Sequence, residues 1–259
     1  MLMAGQRMNW RKRMTDFLDG RMRLRPLFRQ TASILFPPRC PLCDGLLQPG
    51  EDVHAHCARK LPVITGNVCL KCGKPVHSRV EYCDDCAGTR HVFDNGRALF
   101  LYQGVMKECM YRFKYANRRE YAVWFAKGAV KRQGDWLMQQ KPQLIIPVPM
   151  YRKKQRQRGY NQALVFARAL SDEMGIPYSR NSVQRIHDTK PMKFLNNIER
   201  KNNLKNAFQA AENIVKYKKV LLVDDIYTTG YTMDEVAREL RIAGVDHISF
   251  LCVCIGKGN

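Results

Sequence analysis

The chain has 259 residues, and its 44 lysines and arginines exceed its 23 aspartates and glutamates by 21. That length has room for one full domain and a smaller one, and the positive excess predicts attraction to nucleic acid, phosphate compounds or an acidic membrane surface. A basic surface without a dedicated partner is the alternative. No apolar run is long enough for a membrane span, and the run Ala32–Phe36 is too short for a signal peptide. The sequence therefore predicts a cytoplasmic protein whose ten cysteines are thiols or metal ligands rather than disulfides.

Composition divides the chain into three predicted regions. Residues 1–32 are basic and lack a regular apolar pattern, which indicates an N-terminal extension. Residues 33–90 contain seven of the ten cysteines among many prolines, glycines and charged residues. This second region has too few apolar residues for a core of its own, so we expect metal binding to stabilise it as a small zinc-ribbon domain. Residues 91–259 form the third region, a predicted α/β domain.

The cysteine spacing predicts two structural zinc sites. The pairs Cys69–Cys72 and Cys83–Cys86 have the spacing of a four-thiolate site. The pair Cys40–Cys43 is followed by a His-x-x-Cys segment, and together they supply three thiolates and the imidazole of His54 for a second site. His56 is a less suitable ligand because it is only one residue from Cys57. A redox role is the alternative, but a thioredoxin-like pair belongs to a βαβ unit, which this region does not resemble. The predicted metal ligands are Cys40, Cys43, His54, Cys57, Cys69, Cys72, Cys83 and Cys86.

Strand-like and helix-like segments alternate after residue 90, which predicts a doubly wound parallel α/β sheet. Strands are predicted at residues 96–103, 144–149, 219–223 and 247–255. Helices are predicted at residues 105–115, 119–131, 161–174 and 233–243.

The segment that follows the strand at residues 219–223 is the most informative part of the sequence. Asp224 and Asp225 come at the carboxyl end of a buried strand, where open α/β sheets bind their ligands. A turn of hydroxyls and one glycine comes next and opens a helix, and its N–H groups suit a phosphate dianion. Carboxylates repel phosphate but suit the hydroxyls of a sugar, or a metal ion bound with it. The pattern indicates a sugar-phosphate site; a turn that is merely capped by acids is the alternative.

A cluster of cations follows the strand at residues 144–149. Residues 152–158 contain five lysines and arginines, including Arg152, Arg156 and Arg158. Because the carboxyl ends of parallel strands meet at one edge, we expect this turn to lie across a cleft from Asp224 and Asp225. Cations at that place would neutralise a diphosphate leaving group, whereas the alternative is a solvated charged surface.

Together these features resemble the ComF family, which joins a double zinc ribbon to a domain like that of the type I phosphoribosyltransferases. The resemblance covers roughly residues 33–255. Two positions depart from the family pattern, because Met192 stands where Gln is frequent and His54 where Cys is frequent. The segments that carry the resemblance are Phe36–Cys43, Phe113–Tyr115, Pro147–Pro149, Arg156–Gln162, Asp188–Thr189, Glu199–Asn203, Ala207–Phe208 and Val223–Gly230.

The resemblance implies binding of phosphoribosyl pyrophosphate with Mg²⁺. Asp224 and Asp225 would hold the ribose hydroxyls, and Mg²⁺ would bridge the diphosphate. If a reaction occurs, diphosphate leaves C1 and a nucleophile enters from the other face, but the residues indicate neither an acceptor nor a general base. The other implied contacts are Tyr227, Thr228, Thr229, Gly230, Tyr231 and Thr232 with the 5-phosphate, and Arg152, Arg156 and Arg158 with the diphosphate.

The family resemblance also implies a biological setting. Members in naturally competent bacteria are linked to the uptake of external DNA, which implies single-stranded DNA and proteins of the competence machinery as partners. Two alternatives stay open. One is a metabolic phosphoribosyltransferase with a small amine or base as acceptor. The other is a zinc-containing module that binds single-stranded DNA and keeps a vestigial sugar-phosphate site.

Overall fold

The computed structural model describes residues 37–77, 79–187 and 207–256. The predicted extension of residues 1–32 and the segments Asp188–Thr189 and Glu199–Asn203, with Met192, lie outside the described residues. The described residues divide into two compact units. One is built from residues 37–40 and Asp44–His54, and the other from Pro41–Cys43 and the described residues from Ala55 onward.

The larger unit contains the helices and strands of the described residues. The helices are α1 (Ala55–Ala58), α2 (Asp84–Gly88), α3 (Val105–Tyr115), α4 (Tyr121–Gln140), α5 (Arg152–Arg158), α6 (Gln162–Met174) and α7 (Tyr231–Ile242), with a 3₁₀ turn at Glu212–Lys216. The strands are β1 (Asn95–Leu101), β2 (Leu144–Pro147), β3 (Val183–Arg185), β4 (Phe208–Ala210), β5 (Lys219–Tyr227) and β6 (His247–Ile255). No helix within the described ranges combines the length and the apolar character that a membrane crossing requires.

A four-stranded parallel sheet with the order β1-β6-β5-β2 forms the centre of this unit, and β3 and β4 form a separate antiparallel pair. Alternate strand residues point to opposite faces of a sheet. On one face, Ile146, Leu222 and Phe250 share a core with residues of α7. On the other, Ile145 and Leu221 are fully buried, and α4 and α6 pack against each other and against β1, β2 and β5. The predicted doubly wound parallel sheet is confirmed.

Two local predictions near the site are wrong. The sequence predicts a turn at Arg152–Arg158, but this segment forms helix α5, which begins after the extended residue Tyr151 and has Gly159 as its C-cap. Its Arg, Lys and Gln residues all favour a helix, and no breaker occurs among them. The strand predicted at residues 219–223 continues through both aspartates to Tyr227, because β6 pairs with β5 as far as Tyr227.

The close packing of β1 on β6 makes Gly96 sensitive to substitution. A Cβ atom at Gly96 would lie 2.1 Å from a ring carbon of the fully buried Phe250. We expect Gly96→Ala to lower the free energy of unfolding by about 1–3 kcal/mol, because overpacking a filled core displaces side chains. Chemical denaturation followed by circular dichroism measures this change.

The control for Gly96→Ala is Gly128→Ala in α4, where a Cβ atom meets nothing within 4 Å. Its higher helix propensity should raise the free energy of unfolding by up to about 1 kcal/mol. Equal effects of the two substitutions would contradict the packing described for Phe250.

Candidate functional site

The two aspartates at the carboxyl end of β5 form the centre of the candidate site. Both are partly buried, and the backbone N–H of Asp225 donates to Oδ1 of Asp224 at 2.8 Å. Burial, together with the neighbouring charge of Asp225, raises the pKa of Asp224 from 3.8 to about 7. One carboxyl group of the pair is therefore only partly ionised near neutral pH.

Lys114 at the end of α3 is a site residue to which the sequence analysis assigned no role. Its Nζ lies 3.2 Å from Oδ2 of Asp225, and both side chains are mostly buried. Burial acts to lower the pKa of Lys114, but the charges of Asp225 and Asp224 outweigh it and raise that pKa. The lysine therefore stays charged and partly neutralises the acids. Lys114 belongs to the segment Phe113–Tyr115, which is part of the family resemblance and could have indicated its importance. The segment does not indicate which residue Lys114 contacts.

The candidate phosphate turn, residues Thr228–Thr232, connects β5 to α7. Gly230 is the N-cap of α7 with a φ of 86°, and no side chain caps the helix. The first N–H groups of a helix lack intrahelical partners, so these groups can bind an anion. A small pocket at this turn is lined by Asp224, Ile226, Tyr227, Thr228, Thr229, Gly230, Tyr231, Thr232 and Met233. The structure thus groups the predicted phosphate-binding residues beside Asp224.

Tyr227 has a different position from the rest of the predicted phosphate-binding set. Its side chain is buried and stacks on Phe250, with ring centroids 4.7 Å apart. Burial is the main reason why the pKa of its hydroxyl is raised. Only the backbone of Tyr227 is therefore available to a ligand, and its ring supports the turn from the core.

The predicted cations of α5 fall into two groups. Arg152 and Arg156 line a cleft of about 600 Å³ together with Arg180 and Arg185, which the sequence analysis did not select. Arg158 instead donates to Oε1 of Gln162 and to the hydroxyl of Tyr115, each at 3.2 Å. That guanidinium also lies 5.0 Å from the centroid of the Tyr115 ring.

The charge of Lys154 links this helix electrostatically to the acid pair. Burial and the like charges of Arg158, Arg185 and Lys114 lower the pKa of Lys154, whereas Asp225 acts in the opposite direction. Helix α5 therefore adds a surplus of positive charge near the carboxyl end of β5. An anionic ligand would relieve this repulsion.

The eight predicted metal ligands lie in two groups of four, and within each group the ligand atoms are within 4.8 Å of one another. The first group is Cys69, Cys72, Cys83 and Cys86, and the second is Cys40, Cys43, His54 and Cys57. The sulfurs of Cys72 and Cys83 are 3.6 Å apart. Tetrahedral zinc with bonds of about 2.3 Å separates two sulfurs by about 3.8 Å, so the first group fits zinc. His54 Nε2 donates to the carbonyl of Leu46 at 2.8 Å, so Nδ1 is the nitrogen that can ligate a metal.

The four-thiolate site leads to a prediction about metal content. We expect two zinc ions per full-length chain and one in Cys72→Ser, because a site that loses one of four thiolates loses most of its affinity. Native mass spectrometry with elemental analysis measures both values. Cys109→Ala is the control, since Cys109 belongs to neither ligand group and should leave two zinc ions bound. Two zinc ions retained by Cys72→Ser would contradict the assignment of this site.

Comparison with known proteins gives the following matches. The model of the double zinc ribbon domain matches residues 31–87, and that of the phosphoribosyl transferase domain matches residues 161–259. Competence protein F of Haemophilus influenzae is 32% identical over 219 residues, which are 81% of this chain and 93% of that protein. Competence protein ComFC of Bacillus subtilis is 29% identical, with 79% of this chain and 89% of that protein covered. DNA utilization protein YhgH of Escherichia coli K12 is 28% identical, with 84% and 97% covered.

Proposed function

The chain belongs to the ComF family, and from that premise we propose that it binds phosphoribosyl pyrophosphate and acts in DNA uptake or a related handling of nucleic acid. The observation that carries the proposal is the uncapped phosphate turn beside an acid pair that Lys114 partly neutralises. The nucleic-acid setting is supported by the names of the relatives, which are competence and DNA utilization proteins.

The two ends of the ligand would meet different chemistry. The N–H groups and hydroxyls of the phosphate turn would bind the 5-phosphate, where the helix dipole favours negative charge. Asp224 and Asp225 would accept hydrogen bonds from the ribose hydroxyls, which are donors that a carboxylate requires. This arrangement keeps the phosphate and the carboxylates apart, as their like charges demand.

The diphosphate end requires positive charge. Arg152 and Arg156 would supply it from the cleft, and Arg158, Lys154 and Lys114 lie on the elements beside it. Carboxylate and phosphate oxygens are the ligands that Mg²⁺ prefers, so the donor chemistry here fits that ion. When bound, Mg²⁺ would neutralise charge on the diphosphate.

Transferase activity is an extension of this proposal. In such a reaction the bond from C1 to the diphosphate oxygen breaks, diphosphate leaves with the electron pair, and a nucleophile bonds to C1. The positive charge of α5 and Lys114 would stabilise the departing diphosphate. Release of diphosphate with one particular amine or base would favour the metabolic alternative over a role in DNA handling.

Binding of phosphoribosyl pyrophosphate should depend on Asp225. We expect Asp225→Asn to raise the Kd, measured by calorimetry with Mg²⁺, at least tenfold. The reason is that a hydrogen bond to a charged group contributes about 1.5–3 kcal/mol.

A matched control is Asp246→Asn, which removes the same charge beside the amino end of β6, at the opposite edge of the sheet. It should leave the Kd unchanged. A wild-type protein that does not bind the ligand would refute the proposal, and so would equal Kd values for wild type and Asp225→Asn.

One surface observation supports the nucleic-acid part of the proposal. Tyr111 and Tyr115 on α3 are 62% and 59% exposed, and their ring centroids are 5.1 Å apart. Arg158 stacks on Tyr115, and the exposed residues Arg152, Lys153 and Arg156 of α5 continue the surface. Exposed aromatic rings beside a positively charged groove are typical of proteins that bind single strands, because the rings stack on bases and the cations contact phosphates.

Measurements of affinity for single-stranded DNA should separate the contribution of base stacking from that of phosphate contacts. We expect Tyr111→Ala and Tyr115→Ala each to weaken binding about fivefold or more, because base stacking contributes about 1–3 kcal/mol, and to leave the salt dependence unchanged. Lys153→Ala should instead reduce the slope of log K against log salt by about one. Fluorescence anisotropy measures both quantities.

Tyr178→Ala is the control for this experiment, because Tyr178 is a partly exposed tyrosine beside β2 rather than on α3. It should bind DNA as the wild type does. Unchanged affinity in both α3 variants would exclude this surface as the DNA interface.

A further inference from the structure

A buried histidine–aspartate pair lies directly beneath the phosphate turn. His91 Nδ1 is 2.7 Å from Oδ2 of Asp234, and the other carboxylate oxygen accepts from the backbone N–H of Val92 at 2.7 Å. The His91 side chain is 0% exposed and that of Asp234 is 9% exposed. Because Asp234 belongs to the first turn of α7, the pair ties the segment that enters β1 to the start of the helix that follows the phosphate turn.

The imidazole ring is in close contact with the turn itself. A Cβ atom at Gly230 would lie 2.8 Å from His91 Cε1 and 2.6 Å from the hydroxyl oxygen of Tyr227. A ring that approaches so closely sets the position of the backbone at Gly230. The ring has little room to move away, because it stacks on Phe93 at 4.7 Å and Phe93 packs edge-on against Phe250.

Two polar atoms under the turn destabilise the folded state. Within the described residues, His91 Nε2 and the Tyr227 hydroxyl are buried and have no hydrogen-bond partner. Such an unsatisfied atom costs about 1–3 kcal/mol, so an apolar ring would fill the same space at lower cost. Stability alone therefore does not account for an imidazole at this position.

We propose that His91 and Asp234 are positioning residues for phosphate binding. The carboxylate of Asp234 accepts the Nδ1 proton of His91 and so fixes the orientation of the ring. The ring in turn holds Gly230 in the left-handed conformation from which the N–H groups of α7 face the phosphate. This inference rests on the proposed function, because it assigns these residues to the 5-phosphate end of the same site.

The test compares two ligands that occupy different ends of the site. Ribose 5-phosphate probes the phosphate turn, and pyrophosphate with Mg²⁺ probes the cationic end. We expect His91→Phe to raise the Kd of ribose 5-phosphate at least tenfold and that of pyrophosphate less than twofold. This variant keeps an aromatic ring on Phe93 but lacks the Nδ1 proton through which Asp234 fixes the orientation of the ring. General destabilisation would weaken both ligands alike, so the selective loss is the signature of positioning.

A second variant covers the case in which His91→Phe does not fold. The side chain of Asp234→Asn has the same shape, but its oxygen accepts from Val92 N–H and its NH₂ group therefore faces His91 Nδ1. Nδ1 must then accept a hydrogen bond, so the proton of the neutral imidazole moves to Nε2. This variant should show the same selective loss. If the two residues act as one unit, the double variant loses no more affinity than the more severe single variant.

His247 provides a matched control, because it forms another histidine–aspartate pair, with its Nδ1 3.4 Å from Asp94, at the amino edge of the sheet. His247→Phe should bind both ligands as the wild type does. Wild-type affinity for ribose 5-phosphate in folded His91→Phe or Asp234→Asn would overturn the positioning role and leave the proposed function intact. A wild-type chain that binds neither ligand would overturn both.

Discussion

The pairing of β5 with β6 is the constraint on which the rest of the site depends. The two strands pair in parallel from Lys219 with His247 to Tyr227 with Ile255. This pairing extends β5 past its apolar residues, so that both aspartates lie at the carboxyl edge of the sheet. It also brings Tyr227 onto Phe250 and thereby fixes the residue from which the phosphate turn departs. A shift of register by one residue would point the aspartates and Tyr227 to the wrong faces.

The zinc-binding knuckle of Cys69 and Cys72 is built into the same packing. A Cβ atom at Gly73 would lie 2.7 Å from the carbonyl oxygen of Gly96, so the knuckle contacts the backbone of β1 directly. Cys69 and Cys72 belong to the core cluster that includes Phe93, Phe250 and Tyr227. Zinc at this place would hold together a buried part of the larger unit, in addition to the loops that carry the ligands.

Electrostatic conflict within the site supports the proposal of a doubly phosphorylated sugar as its ligand. Burial, together with the neighbouring charge of Asp225, raises the pKa of Asp224 to about 7. Burial and the like charges of Arg158, Arg185 and Lys114 lower the pKa of Lys154. A ligand with hydroxyl donors at one end and phosphate charge at the other would relieve both conflicts. The free energy released in this way would contribute to binding.

The sequence by itself determined the features that depend on local order along the chain. The spacing of Cys69, Cys72 and the other ligands predicted two groups of four, and α3 and β6 have the predicted bounds, because apolar periodicity and ligand spacing are local properties. Only the tertiary structure decided which distant residues meet. Lys114 reaches Asp225, Arg158 turns to Tyr115, and His91 lies under Gly230, and each pair is separated by more than forty positions in sequence. The physical reason is that such contacts follow from the order of strands in the sheet and from the packing of helices on it, which no local pattern encodes.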